Sequence, residues 1–422
     1  MPSLARTSIL SGIALAARVA TGLAISKILA VYVGPSGYGL IGQMQGLTSI
    51  LGGLTGGAFS NGVTKGTAEH FDDENRQRAI WRTAARLSLW TTAGAVVLLL
   101  VLKEPLGHWL FGRDDLSGAL HWLAVALPAL SANALLLAIV NGRKDVRGYV
   151  TVGVLGSGLS LAATAGLVAA FGLPGALAAV AIGPAVSVFA AAALASRRHW
   201  FRFGYLWGGV DSQPARQLAG FALMAITTAV CAPGAQMLIR DHLAADFGWS
   251  SAGHWHALNK VSEVYLSVIT TTLAVYFLPR IAEIRQVPEL WQEIAKVLRF
   301  AVPLAALGAG VIYAGREIVV LWLFTDQFAP MAQLFAWQLA GDVLRVASWV
   351  FAYVLVGRAA TTAFIGAELV FSATWVLLTW TLTAPFGLKG AVIAYFLNCA
   401  MYLAATAGLV RQLLPATRPS HE

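Results

Sequence analysis

The most informative property of this sequence is its shortage of charge. Only 12% of its 422 residues are Asp, Glu, Lys or Arg, about half of the roughly 25% that soluble domains carry. Hydrophobic residues make up 58% of the chain, and the mean hydropathy is +0.70. Too few polar side chains remain to cover so large an apolar interior. The composition therefore excludes a soluble globular protein and indicates a chain solvated largely by lipid.

The sequence also lacks the patterns of disulfide scaffolds, metal sites and enzymes. Its two cysteines, Cys231 and Cys399, lie in apolar stretches and are expected to be small packing residues. His254 and His256 are two residues apart and would not share a helix face, so they predict no metal site. No phosphate-binding lysine motif and no long polar segment for a catalytic domain is present. We expect no enzyme activity and no cofactor.

Long apolar stretches are what the sequence does contain. Twelve of them reach the roughly 20 residues that a membrane-spanning helix needs. They are 7–33, 38–64, 81–103, 117–142, 148–172, 174–196, 214–242, 249–282, 292–316, 328–357, 360–384 and 386–412. The first is predicted to be an uncleaved helix, because it carries Arg18 and Lys27 and leads directly into a second span. No segment has the alternation of a β-barrel, so the fold class is all-α integral membrane.

The basic residues are distributed unevenly between the two ends of these stretches. Twenty of the 29 Lys and Arg lie on the side of the N-terminus, five on the opposite side and four within spans. Because basic residues accumulate in cytoplasmic loops, this bias predicts that both termini are cytoplasmic. It also explains most of the net charge of +9. No basic patch lies in a soluble domain, so nucleic acid is not an expected partner.

The two halves of the chain resemble each other at an offset of 213 to 215 residues. Matching segments are Gly34 and Gly248, Gly39 and Gly253, Trp109–Phe111 and Trp322–Phe324, and Phe171–Ala176 and Phe386–Ala391. Six helices return the chain to the same side, so the halves are parallel repeats related by an axis along the membrane normal. We predict an N-lobe of helices 1–6 at residues 1–205 and a C-lobe of helices 7–12 at residues 206–422. Two such lobes around a shared cavity are typical of transporters.

Ionisable residues inside the first predicted helix are candidate substrate contacts. A charge at bilayer depth costs roughly 2.5 to 3.5 kcal/mol on insertion scales and often marks function. Arg18 lies about 16 Å into the helix at 1.5 Å per residue, and no carboxylate shares that helix. A substrate-facing role is favoured over an interhelical ion pair. Lys27 lies nearer the other end of the helix, where it either binds substrate or extends to the interface.

The second half carries charged residues of both signs within its spans. Lys260 and Glu263, and likewise Asp342 and Arg345, are spaced i, i+3 and share a helix face. They are either self-neutralising pairs or cations that bind an anion beside a carboxylate that serves a coupling ion. Glu368 has no oppositely charged neighbour in its own helix; it is protonated, paired across helices or a coupling residue. None of these charges repeats at the 214-residue offset, and the positive first lobe favours a phosphate-bearing substrate over a cationic drug.

Three segments resemble Wzx-type polysaccharide flippases of the MOP (MATE-like) superfamily, and the resemblance runs nearly the full length of the chain. They are Gly22–Val31 with Gly34–Leu40, Asn61–Lys65 (Asn-Gly-Val-Thr-Lys) and Phe335–Arg345, which contains Trp-Gln-Leu-Ala-Gly-Asp. The likeness is strongest to the branch that serves enterobacterial common antigen synthesis. Arg18 and Lys27 resemble the family's cationic positions in the first helix, and Asp342 and Arg345 resemble its acid-then-base pair.

The resemblance implies a substrate and a place in the cell. The substrate would be a short glycan on undecaprenyl pyrophosphate, moved across the inner membrane, with the polymerase and chain-length regulator of the same pathway as further partners.

The candidate substrate-binding residues are Arg18, Lys27, Lys260 and Arg345. Glu263, Asp342, Glu368 and Asn61 are the candidate ion-coupling or cavity-lining residues. The alternatives are an O-antigen repeat-unit flippase and a MATE-type antiporter of drugs or cations.

Overall fold

The structure, a computed structural model, describes residues 4–284, 286–358 and 360–414. Within these ranges the chain folds into helices and contains no β-strand. The α-helices are α1 (Leu4–Gly52), α2 (Ala58–Glu69), α3 (Glu74–Val101), α4 (Lys103–Phe111), α5 (Gly118–Gly142), α6 (Val146–Ala185), α7 (Ser187–Ser196), α8 (Ser212–Thr272), α9 (Leu278–Glu283), α10 (Val287–Ala314), α11 (Arg316–Leu323), α12 (Phe335–Gly357), α13 (Thr361–Phe386) and α14 (Leu388–Leu413). The predicted all-α membrane fold is confirmed.

Short helical segments of other types connect these elements. Three are 3₁₀-helical: Asp114–Leu116, Phe203–Leu206 and Asp326–Leu334. Two are π-helical, Gly53–Gly57 and Leu273–Phe277. Each π-helix lies inside a long run of helix, and such insertions are a common cause of helix kinks.

Nine helical runs in the described residues are long and apolar enough to cross a membrane. Three of them, Leu15–Glu69, Val146–Ser196 and Ser212–Thr272, are 55, 51 and 61 residues long, more than twice the roughly 20 residues of one crossing. Each of the three contains one glycine outside the helical region of the backbone map, at Gly34, Gly172 or Gly248. Each break divides its run into two segments, so the three long runs supply six. With the other six runs, the described helices account for the twelve predicted membrane-length segments.

The breaks recur at the offset of the sequence repeat. Gly34 has φ 62° and its match Gly248 has φ 81°. Gly172 has φ 58°, and its match Gly387, between α13 and α14, has φ 57°. Side chains with a Cβ rarely adopt this backbone conformation. The repeated glycines therefore mark the same local chain reversal in each half of the sequence.

The chain divides into two compact units, Met1–Gly234 and Ala235–Glu422. The core of the first unit includes Val63, Ile80, Trp81, Ile139, Ala191 and Leu218. The core of the second includes Phe277, Ile294, Val346, Val350, Leu355 and Val410. The boundary between the two units falls inside α8, between Gly234 and Ala235. Leu218 and Ala222, near the start of α8, accordingly pack into the core of the first unit. The lobe boundary at residues 205 and 206 stays a prediction.

Replacement of Gly172 by alanine tests whether the break depends on glycine. No heavy atom lies within 4 Å of the position of an added Cβ, so the cost comes from backbone strain alone, about 1–3 kcal/mol. We expect Gly172→Ala to lower the melting temperature of the purified protein in detergent. The control is Gly166→Ala in the same helix, where a Cβ also meets nothing and alanine is favoured. Equal melting temperatures for the two variants would contradict the interpretation.

Candidate functional site

The second unit contains a fully buried carboxylate whose partners are hydroxyl groups. Asp342 of α12 accepts a hydrogen bond at Oδ2 from Ser262 Oγ at 2.6 Å and another from Tyr265 OH at 3.0 Å. Tyr395 OH of α14 donates to Oδ1 at 2.9 Å. An isolated carboxylate at this depth would be very costly, and hydrogen bonding reduces the cost. Three helices, α8, α12 and α14, therefore converge on Asp342.

Arg345 lies one turn along α12 but forms no ion pair with Asp342. Its guanidinium carbon lies 3.8 Å from the ring centroid of Phe371 and 4.9 Å from that of Tyr402, a cation–π arrangement. Its Nη1 is buried and has no hydrogen-bond partner among the described residues. An unpaired buried donor is costly, so Arg345 has an N–H group available for an acceptor that the protein itself does not supply.

Glu368 of α13 is buried and accepts a hydrogen bond from Tyr402 OH. Within the described part of the chain no basic side chain forms an ion pair with it. Tyr402 therefore contacts both Glu368, through its hydroxyl, and Arg345, through its ring. The sequence allows Glu368 to be protonated, paired across helices or a coupling residue. The structure shows that its contact across helices is a hydrogen bond from a tyrosine. Its role in coupling stays a prediction.

Lys260 and Glu263 form an ion pair with each other, which is one of the two arrangements that their spacing allows. Lys260 Nζ lies 2.7 Å from Glu263 Oε2, and the Glu263 side chain is 68% exposed. Ser262, between them in sequence, turns to the other side of α8 and bonds Asp342. Gln338 extends this buried network, because its Nε2 donates to Ser262 Oγ at 3.4 Å. The two i, i+3 pairs of the second half thus have different arrangements.

The remaining candidates belong to the first unit. Arg18 and Lys27 lie on α1 ahead of the break at Gly34, and Asn61 lies on α2. Arg18 and Asn61 are exposed, whereas Lys27 is half-buried and interacts with other residues. Arg18 makes no ion pair with any acid of the described residues. The structure therefore supplies two groups of candidates, one in each unit.

Several polar residues of the second unit could not be identified from the sequence. Three tyrosines look like ordinary residues of apolar helices in the sequence: Tyr265, Tyr395 and Tyr402. Only tertiary packing brings their hydroxyl groups within hydrogen-bond distance of Asp342 and Glu368. Arg240 is one of the five basic residues counted on the side opposite the N-terminus, and its side chain is buried. Its guanidinium carbon lies 6.0 Å from the Trp255 ring centroid. This cation–π contact, between two residues of α8, stabilises the buried charge.

The described residues contain no group of three or more His, Cys, Asp and Glu side chains that could hold a metal ion. The oxygen-rich surroundings of Asp342 consist of one carboxylate and three hydroxyls. Such a set suits exchange of a proton or of a weakly held hard cation better than a resident transition metal.

Sequence comparisons relate the chain to one protein family and to two full-length relatives. Residues 28–333 match the family described as polysaccharide biosynthesis protein. The lipid III flippases of Escherichia coli (strain K12) and Shigella flexneri are each 31% identical to this chain over 408 residues, 96% of this chain and 98% of the relative.

Solved structures resemble the chain in fold at low sequence identity. An inward-facing multidrug resistance MATE transporter of the MOP superfamily has a TM-score of 0.79 at 13% identity, covering 95% of this chain and 96% of the transporter. The lipid II flippase MurJ in its inward closed conformation has a TM-score of 0.72 at 10% identity, covering 96% of this chain and 87% of MurJ. The chain therefore belongs to the polysaccharide biosynthesis protein family and has the helical fold of MOP-superfamily transporters.

Proposed function

We propose that this protein is a flippase. It moves an oligosaccharide linked to undecaprenyl pyrophosphate from the cytoplasmic to the periplasmic leaflet of the bacterial inner membrane. The observation that carries the proposal is the near full-length relationship to two lipid III flippases. The expected cargo is accordingly lipid III of enterobacterial common antigen, with an O-antigen repeat unit as the alternative cargo. The protein acts as a transporter and not as an enzyme.

The candidate cations support a pyrophosphate-bearing substrate. Arg18 and Arg345 have no acidic partner among the described residues, and Arg345 Nη1 also lacks a hydrogen bond. A pyrophosphate offers several charged acceptor oxygens, which arginine binds well. Lys27 is a further candidate contact. Lys260 is the weakest of the four, because it already pairs with Glu263.

The buried carboxylates support coupling of transport to an ion. Asp342 and Glu368 are held by hydroxyl groups rather than by cations. Gain or loss of a proton, or of a cation, would rearrange hydrogen bonds among α8, α12, α13 and α14. Glu263 is exposed and paired with Lys260, so it is a less direct candidate. We assign coupling first to Asp342.

The lipid part of the substrate imposes a constraint on the path. Exposure of a polyprenyl chain to a polar lumen would cost roughly 0.8 kcal/mol per CH₂ group. The glycan and the pyrophosphate therefore cross by alternating access while the chain stays in the bilayer. Asn61 is assigned to the polar lining that meets sugar hydroxyls.

The basic-residue bias supports an inner-membrane topology with both termini in the cytoplasm. The extreme termini, residues 1–3 and 415–422, lie outside the described residues. The polymerase and the chain-length regulator of the same glycan pathway are the proposed protein partners, since they consume what the flippase delivers.

Substitution of Arg18 tests the substrate contact. In a strain without its own flippase, we expect Arg18→Ala to reduce surface glycan and to accumulate the lipid-linked precursor, and Arg18→Lys to restore part of the activity. Loss of a hydrogen bond to a charged group is worth roughly 1.5–3 kcal/mol, or on the order of tenfold or more in flux.

The matched control is Arg113→Ala, which removes an exposed arginine that pairs with Asp115. Immunoblots verify equal amounts of each variant in the membrane. A fully active and stably expressed Arg18→Ala would show that Arg18 does not contact the substrate. Drug-resistance assays on the same strains separate the antiporter alternative.

Substitution of Asp342 tests coupling. Asp342→Asn keeps the shape of the side chain and removes the titratable charge. In proteoliposomes with an imposed proton or sodium gradient, we expect the wild type to flip faster than without a gradient and Asp342→Asn to be insensitive to it. Asp115→Asn, at an exposed position of the 3₁₀ segment Asp114–Leu116, is the control. Unchanged gradient stimulation in Asp342→Asn would remove Asp342 from the coupling mechanism.

A further inference from the structure

Arg345 has two acids in its neighbourhood, and it forms an ion pair with neither of them in the part of the chain that the structure describes. Asp342 lies one turn earlier on the same face of α12. Glu368 lies one turn before Phe371 on α13, and the Phe371 ring centroid is 3.8 Å from the Arg345 guanidinium carbon. Opposite charges attract strongly away from water, so the absence of both ion pairs needs a structural cause.

Hydroxyl groups from other helices occupy the two carboxylates. Asp342 accepts hydrogen bonds from three hydroxyls, those of Ser262, Tyr265 and Tyr395. The hydrogen bond that the structure shows for Glu368 comes from Tyr402. The two acids therefore depend on a single hydroxyl to different degrees. Removal of one donor leaves Asp342 with two others, whereas removal of the Tyr402 hydroxyl releases the Glu368 carboxylate.

Tyr402 contacts the acid and the arginine with different parts of one side chain. Its hydroxyl donates to Glu368 Oε1, and its ring centroid lies 4.9 Å from the Arg345 guanidinium carbon. The side chain is only 3% exposed, and its ring packs on Phe371 with 4.8 Å between the centroids. This packing fixes the ring, so Tyr402 holds Glu368 at a position where the carboxylate does not reach the guanidinium.

Arg345 keeps its charge and part of its surface. The side chain is half-buried, so it is accessible to a molecule from outside the chain. The guanidinium carbon lies within cation–π range of three rings, those of Trp349, Phe371 and Tyr402. Such contacts stabilise a cation without neutralising it. Arg345 is therefore held in place by rings while its charge stays available to an anion.

We propose that Glu368 is an internal competitor of the substrate for Arg345, and that Tyr402 is the positioning residue that keeps Glu368 away. This inference rests on the proposed function, because it takes the pyrophosphate of that function as the anion at Arg345. With the Tyr402 hydroxyl in place, the carboxylate is occupied and the guanidinium binds the pyrophosphate. Without that hydroxyl, Glu368 pairs with Arg345, and the pyrophosphate has to displace it. A rearrangement that separates Tyr402 from Glu368 thus releases the substrate.

The test measures binding of undecaprenyl pyrophosphate to the full-length protein purified in detergent, with undecaprenol as the probe that lacks the anion. We expect Arg345→Gln to weaken binding of the pyrophosphate and not of undecaprenol. Tyr402→Phe keeps the ring and removes the hydroxyl. It should weaken pyrophosphate binding on the order of tenfold, because a charge-assisted hydrogen bond between Glu368 and Arg345 must then be broken.

The decisive measurement is the same substitution in a Glu368→Gln background. Glutamine has no charge with which to compete for the arginine, so Tyr402→Phe should have no effect on pyrophosphate binding there. A role of Tyr402 in packing alone would give no such rescue. The matched control is Tyr353→Phe, at a half-buried tyrosine of α12 that packs against the core of the second unit. It should bind like its parent in both backgrounds, and far-ultraviolet circular dichroism verifies that each variant is folded.

Two results would overturn the inference while leaving the proposed function intact. They are wild-type affinity of Tyr402→Phe, and equally weak binding of Tyr402→Phe with and without Glu368→Gln. Pyrophosphate binding that does not depend on Arg345 would overturn the inference together with the substrate contact assigned to Arg345. A wild-type protein that binds no undecaprenyl pyrophosphate would contradict the proposed function as well.

Discussion

Hydrocarbon offers no hydrogen bonds, and this constraint governs most of what the structure shows. Backbone groups in the bilayer must pair within the chain, which selects helices for every membrane-length segment. The same constraint acts on side chains. Burial of the Asp342 carboxylate is offset by hydrogen bonds from three hydroxyl groups, those of Ser262, Tyr265 and Tyr395. Burial of Glu368 is offset by a hydrogen bond from Tyr402. Arg345 Nη1 has no hydrogen-bond partner in the part of the chain that the structure describes, so a bound molecule can supply one there.

The glycine breaks show how one chain repeats an arrangement without repeating its chemistry. Gly34 and Gly248, and Gly172 and Gly387, place positive φ angles at equivalent positions of the two halves. The ionisable residues do not follow this pattern. Arg18 and Lys27 belong to the first half, whereas Asp342 and Glu368 belong to the second. A duplicated scaffold with unequal charges agrees with the proposed roles, in which cations of both halves contact the anionic substrate and carboxylates of the second half serve the coupling ion.

Much of the fold was predictable because hydrophobic length is a local property. The twelve apolar windows correspond to the twelve helical segments, and the gaps between the windows at 33–38 and 242–249 contain Gly34 and Gly248, where two of the long helices break. The pairing of Lys260 with Glu263 was also predictable, since one turn of helix brings them together. The separation of Asp342 from Arg345 was not. Tyr395, which holds Asp342, lies in a different helix, and only tertiary packing determines that the carboxylate bonds hydroxyls while the guanidinium stacks on Phe371.

The most direct test of the proposed function is flipping by the purified wild-type protein. The protein would be reconstituted into liposomes that carry undecaprenyl-pyrophosphate-linked oligosaccharide with a fluorescent label on the sugar, and a membrane-impermeant quencher would report the exposed fraction. The account predicts that quenching rises from about half of the label, as for a static bilayer, toward completion as protein moves label to the outer leaflet. Quenching that stays at the level of protein-free liposomes, with folded protein present, would contradict it.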